Sequence, residues 1–200
     1  EKSRNFFKNF YANALKDNEY LEKGVITGIL RVAREGIFSG LNNLRVYTVL
    51  DKNYSDAFGL TEGEIIKALD YYELSGNIEE VRKWYNGYKF GNIQIYNPWS
   101  IVNYLEDREI NVYWINTSNN RLIHSAIKDA ENELFKDLKD VFNDGVTVQT
   151  VNASSNMEDL RNPEEVWQLM VFGGYLTVEK KIGINEYTLK LPNYEVKTFF

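Results

Sequence analysis

Gly24-Val25-Ile26-Thr27-Gly28-Ile29-Leu30 is the stretch on which the fold reading turns. A glycine followed by a short, nearly continuous apolar run fits a strand buried on both faces, which is how strands of parallel sheets read. One such strand cannot make a sheet, because its N–H and C=O groups need partners along both edges. No second run of this kind follows before Leu41 to Leu50, so the partners are expected elsewhere in the chain or in residues outside it. The sequence opens Glu1-Lys2-Ser3-Arg4 with no initiator methionine and no signal-like apolar stretch, and it stops at Phe199-Phe200 inside what reads as a helix. Both ends read as cuts in a longer polypeptide.

Outward from that strand the pattern is helical. Phe6, Phe7, Phe10, Ala14 and Leu15 recur at helical spacing, predicting an amphipathic helix that ends near Asp17-Asn18. From Thr61 a series of capped helices begins: Thr61 with Glu64 reads as a capping box, with Ile65, Leu69 and Tyr72 on one face. A second helix is expected over Ile78 to Tyr85. Asn97-Pro98 is a cap followed by proline at the first helical position, with Ile101, Val102 and Leu105 behind it. Further helices are expected at Asn119 to Ala130 and Glu133 to Phe142. Another runs from Asn162-Pro163 through Val166, Trp167, Met170 and Phe172 to a stop at Gly173-Gly174. Tyr175 to Lys181 and Glu186 to Leu191 then alternate as a hairpin with Gly183 and Asn185 in the turn. A helix followed by a two-stranded wing is the tail of a winged-helix unit. Leu191-Pro192 breaks the strand, and a last helix begins at Glu195. The polar stretch Asn152 to Asn162 is the nearest thing to a boundary.

Composition narrows the chemistry. The 200 residues include 44% hydrophobic residues, carry a net charge of -6, and contain no cysteine and one histidine. That supports one ample core or two small ones in a soluble chain, and no apolar run approaches a membrane span. Without cysteine there are no disulfides or thiolate metal sites, so the cytoplasm is the default compartment. The acidic balance disfavours indiscriminate nucleic-acid binding. A phosphate-cradling loop needs glycines flanking a Lys and then Ser or Thr, and neither Gly-Lys-Ser nor Gly-Lys-Thr occurs. Val46-Tyr47-Thr48-Val49-Leu50-Asp51 has the apolar-then-acid form of a magnesium-holding strand tip, but stands unaccompanied, so a solvated Asp ending a strand or loop is favoured. His124 is the sole imidazole, which rules out a His-His metal site, and it falls in an expected helix. Glu179-Lys180-Lys181 contains the Glu-x-Lys element of metal-dependent nucleases, yet lacks the upstream Asp on a neighbouring strand. Lys180 and Lys181 could touch a phosphate backbone from the wing, with solvated strand charges as the plainer account. Neither hydrolytic nor phosphoryl-transfer chemistry finds its residues here.

The densest feature is Trp84-Tyr85-Asn86-Gly87-Tyr88-Lys89-Phe90-Gly91, followed by Ile95-Tyr96-Asn97-Pro98-Trp99-Ser100. Asn86-Gly87 and Gly91-Asn92 are turn signals, and the aromatics would form a rigid packing corner between two helices. A stacking platform for bases or an adenine is the functional alternative; core is the commoner fate of such rings.

These blocks resemble the bacterial AAA-ATPase-like family, whose members are often paired with a C-terminal nuclease-like domain of the PD-(D/E)XK superfamily. The resemblance also rests on Leu15 to Asn18, Gly24 to Ala33, Ile37-Phe38-Ser39-Gly40-Leu41-Asn42-Asn43-Leu44, Trp114 to Ser118 and Tyr187 to Val196. It runs in order over most of the chain. It implies an α+β, mainly helical fold in three parts: residues 1–55 as the last strand region of a P-loop-type core, 56–150 as a helical lid, and 151–200 as a winged-helix-like end. The P-loop core would lie upstream and the nuclease-like domain downstream in the same polypeptide, so ATP and magnesium belong to the parent protein and this part would be inactive alone. By the resemblance Thr27 lies where such ATPases keep a polar sensor of the terminal phosphate, with a hydroxyl bonded to backbone as the even alternative, and Arg31 could face developing charge. Asn42, Asn43, Trp84, Tyr85, Asn86, Gly87, Tyr88, Asn97, Pro98 and Trp99 carry the motifs as structural residues. No catalytic or metal-binding residue is carried over. The rival reading is a nucleic-acid or protein-binding module without nucleotide chemistry.

Overall fold

Local capping chemistry fixes where the helices begin. In the computed structural model, which describes residues 2–16, 18–28, 44–117, 132–143, 145–152 and 163–200, α1 spans Lys2–Leu15. α2 (Glu62–Tyr71) starts after Thr61, whose N–H and hydroxyl both donate to the Glu64 carboxylate, at 2.8 and 2.7 Å. Those bonds hold the Glu64 carboxyl below the usual range. A 3-10 turn at Ser75–Asn77 leads into α3 (Ile78–Tyr85). The hairpin β1 (Tyr88–Phe90) and β2 (Ile93–Ile95) follows. α4 (Pro98–Asp107) starts with proline at its first position, and Asn97 Oδ1 accepts from the N–H groups of Trp99 and Ser100 at 3.0 and 3.3 Å. Then come α5 (Trp114–Thr117), α6 (Asn132–Phe142), β3 (Thr147–Thr150) and α7 (Pro163–Phe172). The chain closes with β4 (Thr177–Lys181), β5 (Glu186–Lys190) and α8 (Tyr194–Lys197), the last capped by Asn193 Oδ1 on the Val196 N–H.

The fold is thus mixed α+β, mostly helical, with small antiparallel sheets among the described residues. The larger sheet has the order β3-β5-β4. β3 lies beside the final strand, with Thr147 opposite Leu189 and Thr150 opposite Glu186, and β4 flanks the other edge with a bulge between Val178 and Lys180.

Two hydrophobic clusters organise these elements. One is helical: Ile65 and Leu69 of α2, Val81 and Tyr85 of α3, and Ile101, Tyr104 and Leu105 of α4, joined by Tyr96. The other packs Leu134, Leu138 and Val141 of α6 and Val166, Trp167, Leu169, Met170 and Val171 of α7 against Tyr187 and Leu189 of β5. The β1–β2 hairpin serves both, because neighbouring strand residues face opposite sides: Ile95 enters the second cluster while Tyr96 enters the first. Tyr85 and Tyr88 divide in the same way across the Asn86-Gly87 step.

The helices at Ile78, Pro98 and Pro163 and the β4–β5 hairpin match the sequence expectations for those elements. Other expectations need correction. Residues 23–28 form no regular structure and no ladder hydrogen bonds; Val25 is 81% and Ile26 41% exposed, so no buried strand forms there among the described residues, and Ile29 and Leu30 lie outside them. With no neighbouring strand among the described residues, a single extended run cannot satisfy its own backbone. Tyr72 and Val102 are exposed rather than on a core face. The helix expected over Asn119 to Ala130 lies outside the described residues, as does His124. β3 was not expected, and it is hydrogen-bonded to β5.

Candidate functional site

The site with the most built structure is the junction where the aromatic block meets the Leu191-Pro192-Asn193-Tyr194-Glu195 tail. α3 carries Trp84 and Tyr85 to its C-terminal end. The Tyr85 hydroxyl accepts from the Asn111 N–H and donates to the Asn111 carbonyl, both at 3.0 Å, closing the loop before α5 onto α3. Burial pushes that hydroxyl up. Asn86 Oδ1 accepts from the Gly87 N–H at 2.7 Å, and Gly87 has φ +108. A Cβ at Gly87 would stand 1.8 Å from the Pro192 carbonyl oxygen, so only glycine lets the tail lie against this turn. Trp84 meets the Tyr194 ring edge to face at 4.8 Å, and Lys83 Nζ sits 4.7 Å from the same ring's centroid.

At the centre of the junction Glu195 is 0% exposed. Its Oε2 accepts from the Ser100 hydroxyl at 2.6 Å and its Oε1 from the Trp114 N–H at 2.6 Å, so it caps the first turn of α5 while holding α4. Burial pushes the Glu195 carboxyl up, against the pull of the Ser100 and Trp114 hydrogen bonds. The buried Tyr88 hydroxyl faces the side chains of Asn97 and Asn193. Neither that hydroxyl nor Asn193 Nδ2 forms a hydrogen bond. A second polar knot lies across α3: Arg82 bridges Glu62 and Glu79, and Tyr96 donates to Glu62. Burial pushes the Glu62 carboxyl up, but the Arg82 and Tyr96 hydrogen bonds outweigh it and leave the group below its ordinary value.

Beside the junction an open cleft of about 170 Å³ is lined by Phe58, Tyr88, Phe90, Trp114, Gly174 and Thr177, among others. Thr177 Oγ1 accepts from the Lys89 N–H at 2.8 Å. The Ser100–Glu195 pair is not a catalytic dyad, because both residues are 0% exposed and no substrate reaches them. Among the described residues no group of three His, Cys, Asp or Glu side chains could hold a metal ion, and the sequence carries neither Gly-Lys-Ser nor Gly-Lys-Thr. Asp51 is occupied too, its Oδ2 accepting from the Thr48 N–H at 2.7 Å and the Thr48 hydroxyl at 2.9 Å to close a turn.

The chain is similar to a longer bacterial protein. That relative, from Azotobacter chroococcum mcd 1, is described as "Uncharacterized protein in vnfD 5'region" and is 27% identical over 198 residues. The match takes in 97% of this chain but only 36% of the relative's length. No protein-family model matches the chain. No solved structure matches it.

The sequence-derived candidates separate in space. Tyr85, Asn86, Gly87, Tyr88, Asn97 and Pro98 converge at the junction, while Trp99 is 52% exposed on the outer side of α4. Thr27 is exposed in the irregular segment. Arg31, Asn42 and Asn43 lie outside the described residues. Lys180 and Lys181 are exposed on β4, with Lys181 Nζ 5.7 Å from the Tyr187 ring centroid. Sequence reading missed Glu195 and Ser100. A glutamate in the first turn of a helix reads as a dipole complement, and only the tertiary fold turns it inward.

Proposed function

We propose that this chain is the lid and winged-helix-like part of a nucleotide-dependent switch whose ATP- and magnesium-binding core and downstream nuclease-like domain belong to the longer polypeptide. The observation that carries this reading is connectivity. α6, β3, α7 and the β4–β5 hairpin, with the first strand added beside the last, follow the order of a winged-helix unit. The helical cluster is fastened to that unit through Gly87, Tyr194 and Glu195. A lid that passes a nucleotide-driven movement to a following domain needs such a stiff joint. The exposed apolar Val25 and Ile26 suit an edge that packs on a sheet supplied by other residues, with Thr27 and Arg31 as the sensor candidates at its exit. That the chain spans 36% of its Azotobacter relative is in keeping with a part of a larger protein.

The alternative, a nucleic-acid-binding module, is disfavoured by α7. In a groove-binding winged helix the corresponding helix offers a polar face to bases. Here every residue from Val166 to Val171 is buried, more than a full turn, so the helix has no free side along that length. Lys180 and Lys181 are exposed on β4 for phosphate contact.

Calorimetric titration with magnesium-ATP tests the proposal. The 200-residue chain is expected to bind none, and the full-length Azotobacter relative is expected to bind it. Tight, specific binding to the 200 residues alone, or none to the full-length relative, would overturn the assignment.

A further inference from the structure

We propose that Glu195 is a titratable latch: as a neutral acid it holds the Leu191 to Lys197 tail on α4 and α5, and on ionisation it loosens that hold. The geometry is unusual for a carboxylate. Glu195 is 0% exposed, and among the described residues no Lys, Arg or His forms an ion pair with it. A buried, unpaired carboxylate is costly, and the neutral donors that face it, the Ser100 hydroxyl and the backbone N–H groups of Trp114, Tyr113 and Ile115, offset that cost only in part. The titratable groups that face it are the hydroxyls of Tyr85 on α3 and Tyr88 on β1, neither of which supplies positive charge. From α4 it meets the Ser100 hydroxyl and from α5 the Trp114 N–H.

The Ser100 hydroxyl makes the neutral form cheap. A serine hydroxyl donates or accepts, so protonation at Oε2 simply reverses that hydrogen bond, Oε2–H donating to Ser100 Oγ, while Oε1 still accepts from Trp114. No bond is lost. When the proton leaves to solvent, Ser100 turns to donate, and the site holds a full negative charge without a cation. The consequence falls on the tail, since Glu195 is the residue through which α8 grips both neighbouring helices.

The sign follows from the raised carboxyl. The folded state binds this proton more tightly than the unfolded chain does, so the stabilisation is complete below the ordinary glutamate range. It is lost as pH rises through the folded-state value. Hydrogen exchange on the 200-residue chain, corrected for the pH dependence of the chemical step, reads this at the Trp114 amide and across α8. Protection there is expected to fall by up to about tenfold per pH unit from the ordinary glutamate range up to the folded-state value, the slope of one coupled proton, and to level off above it. In Glu195→Gln, whose amide donates to Ser100 and accepts from Trp114 without titrating, protection is expected to stay flat. Carboxyl carbon NMR on the unsubstituted protein needs no variant: one glutamate resonance is expected to keep its protonated position after the others have titrated. All glutamates titrating together in the ordinary range, or identical pH profiles for the protein and Glu195→Gln, would overturn the latch.

Discussion

At the scale of single residues, the motif positions do unequal work. Gly87 and Tyr85 hold the junction, whereas Trp99 projects from α4. Gly87→Ala combines a left-handed backbone with a collision against Pro192, so a loss of about 3 kcal/mol or more is expected. Tyr85→Phe strands the Asn111 N–H and carbonyl and should cost about 1–3 kcal/mol. Trp99→Ala should stay within about 0.5 kcal/mol, the range of ordinary surface changes. Urea titration of the three variants checks this ranking, read from midpoints at unchanged slope. An equal cost for Trp99→Ala would mean that its ring is covered in the folded protein. The turn chemistry of Asn86-Gly87 and the packing fate of the tyrosines were legible from residue type. What was not legible was the partner of Gly87, since Pro192 lies over a hundred positions away and nothing local announces that contact.

At the scale of elements, legibility followed the range of the interactions. Helices announced by caps, such as α2 behind Thr61 and α4 behind Asn97, depend on bonds within a single turn, and sequence reading located them. β3 depends on β5, close to forty residues later, and its Thr-Val-Gln-Thr run is too short to declare itself. The described part of the run Val25 to Leu30 departs in the opposite direction: its apolar pattern asks for a sheet, and residues 25–28 lie exposed with no strand beside them among the described residues. Asn97→Ala, which removes the acceptor for two N–H groups of α4, should cost about 1–2 kcal/mol in the same urea titration. The β4–β5 hairpin offers a test of the rival function. Lys180 and Lys181 are exposed on β4, and Val166 to Val171 of α7 are buried. Fluorescence anisotropy with a labelled DNA duplex at physiological salt is therefore expected to show no binding by the 200-residue chain. Binding that Lys180→Glu with Lys181→Glu abolishes would restore the nucleic-acid module.

At the scale of the molecule, two hydrophobic clusters share a wall, and the question is whether they stand or fall together. The β1–β2 hairpin commits Ile95 to one and Tyr96 to the other, and the Asn97 N–H bonds the Tyr85 carbonyl at 3.2 Å across the seam. Glu195 then ties α8, on the sheet side, to Ser100 in the helical cluster. A seam made of shared backbone and buried polar bonds cannot open at one side without exposing unpaired groups at the other. The clusters should therefore unfold as one cooperative unit. Leu138→Ala, deep in the sheet-side cluster at 1% exposure, should cost about 2–5 kcal/mol. Ile101→Ala, in the helical cluster at 1% exposure, should cost a similar amount. Native-state hydrogen exchange separates the outcomes, because amides of α3 report on one cluster and amides of β5 on the other. Each substitution is expected to lower protection at both sites by the same factor. If Leu138→Ala weakened β5 while α3 kept its protection, the seam would be a contact between two independently stable parts, too loose to carry the movement proposed for it.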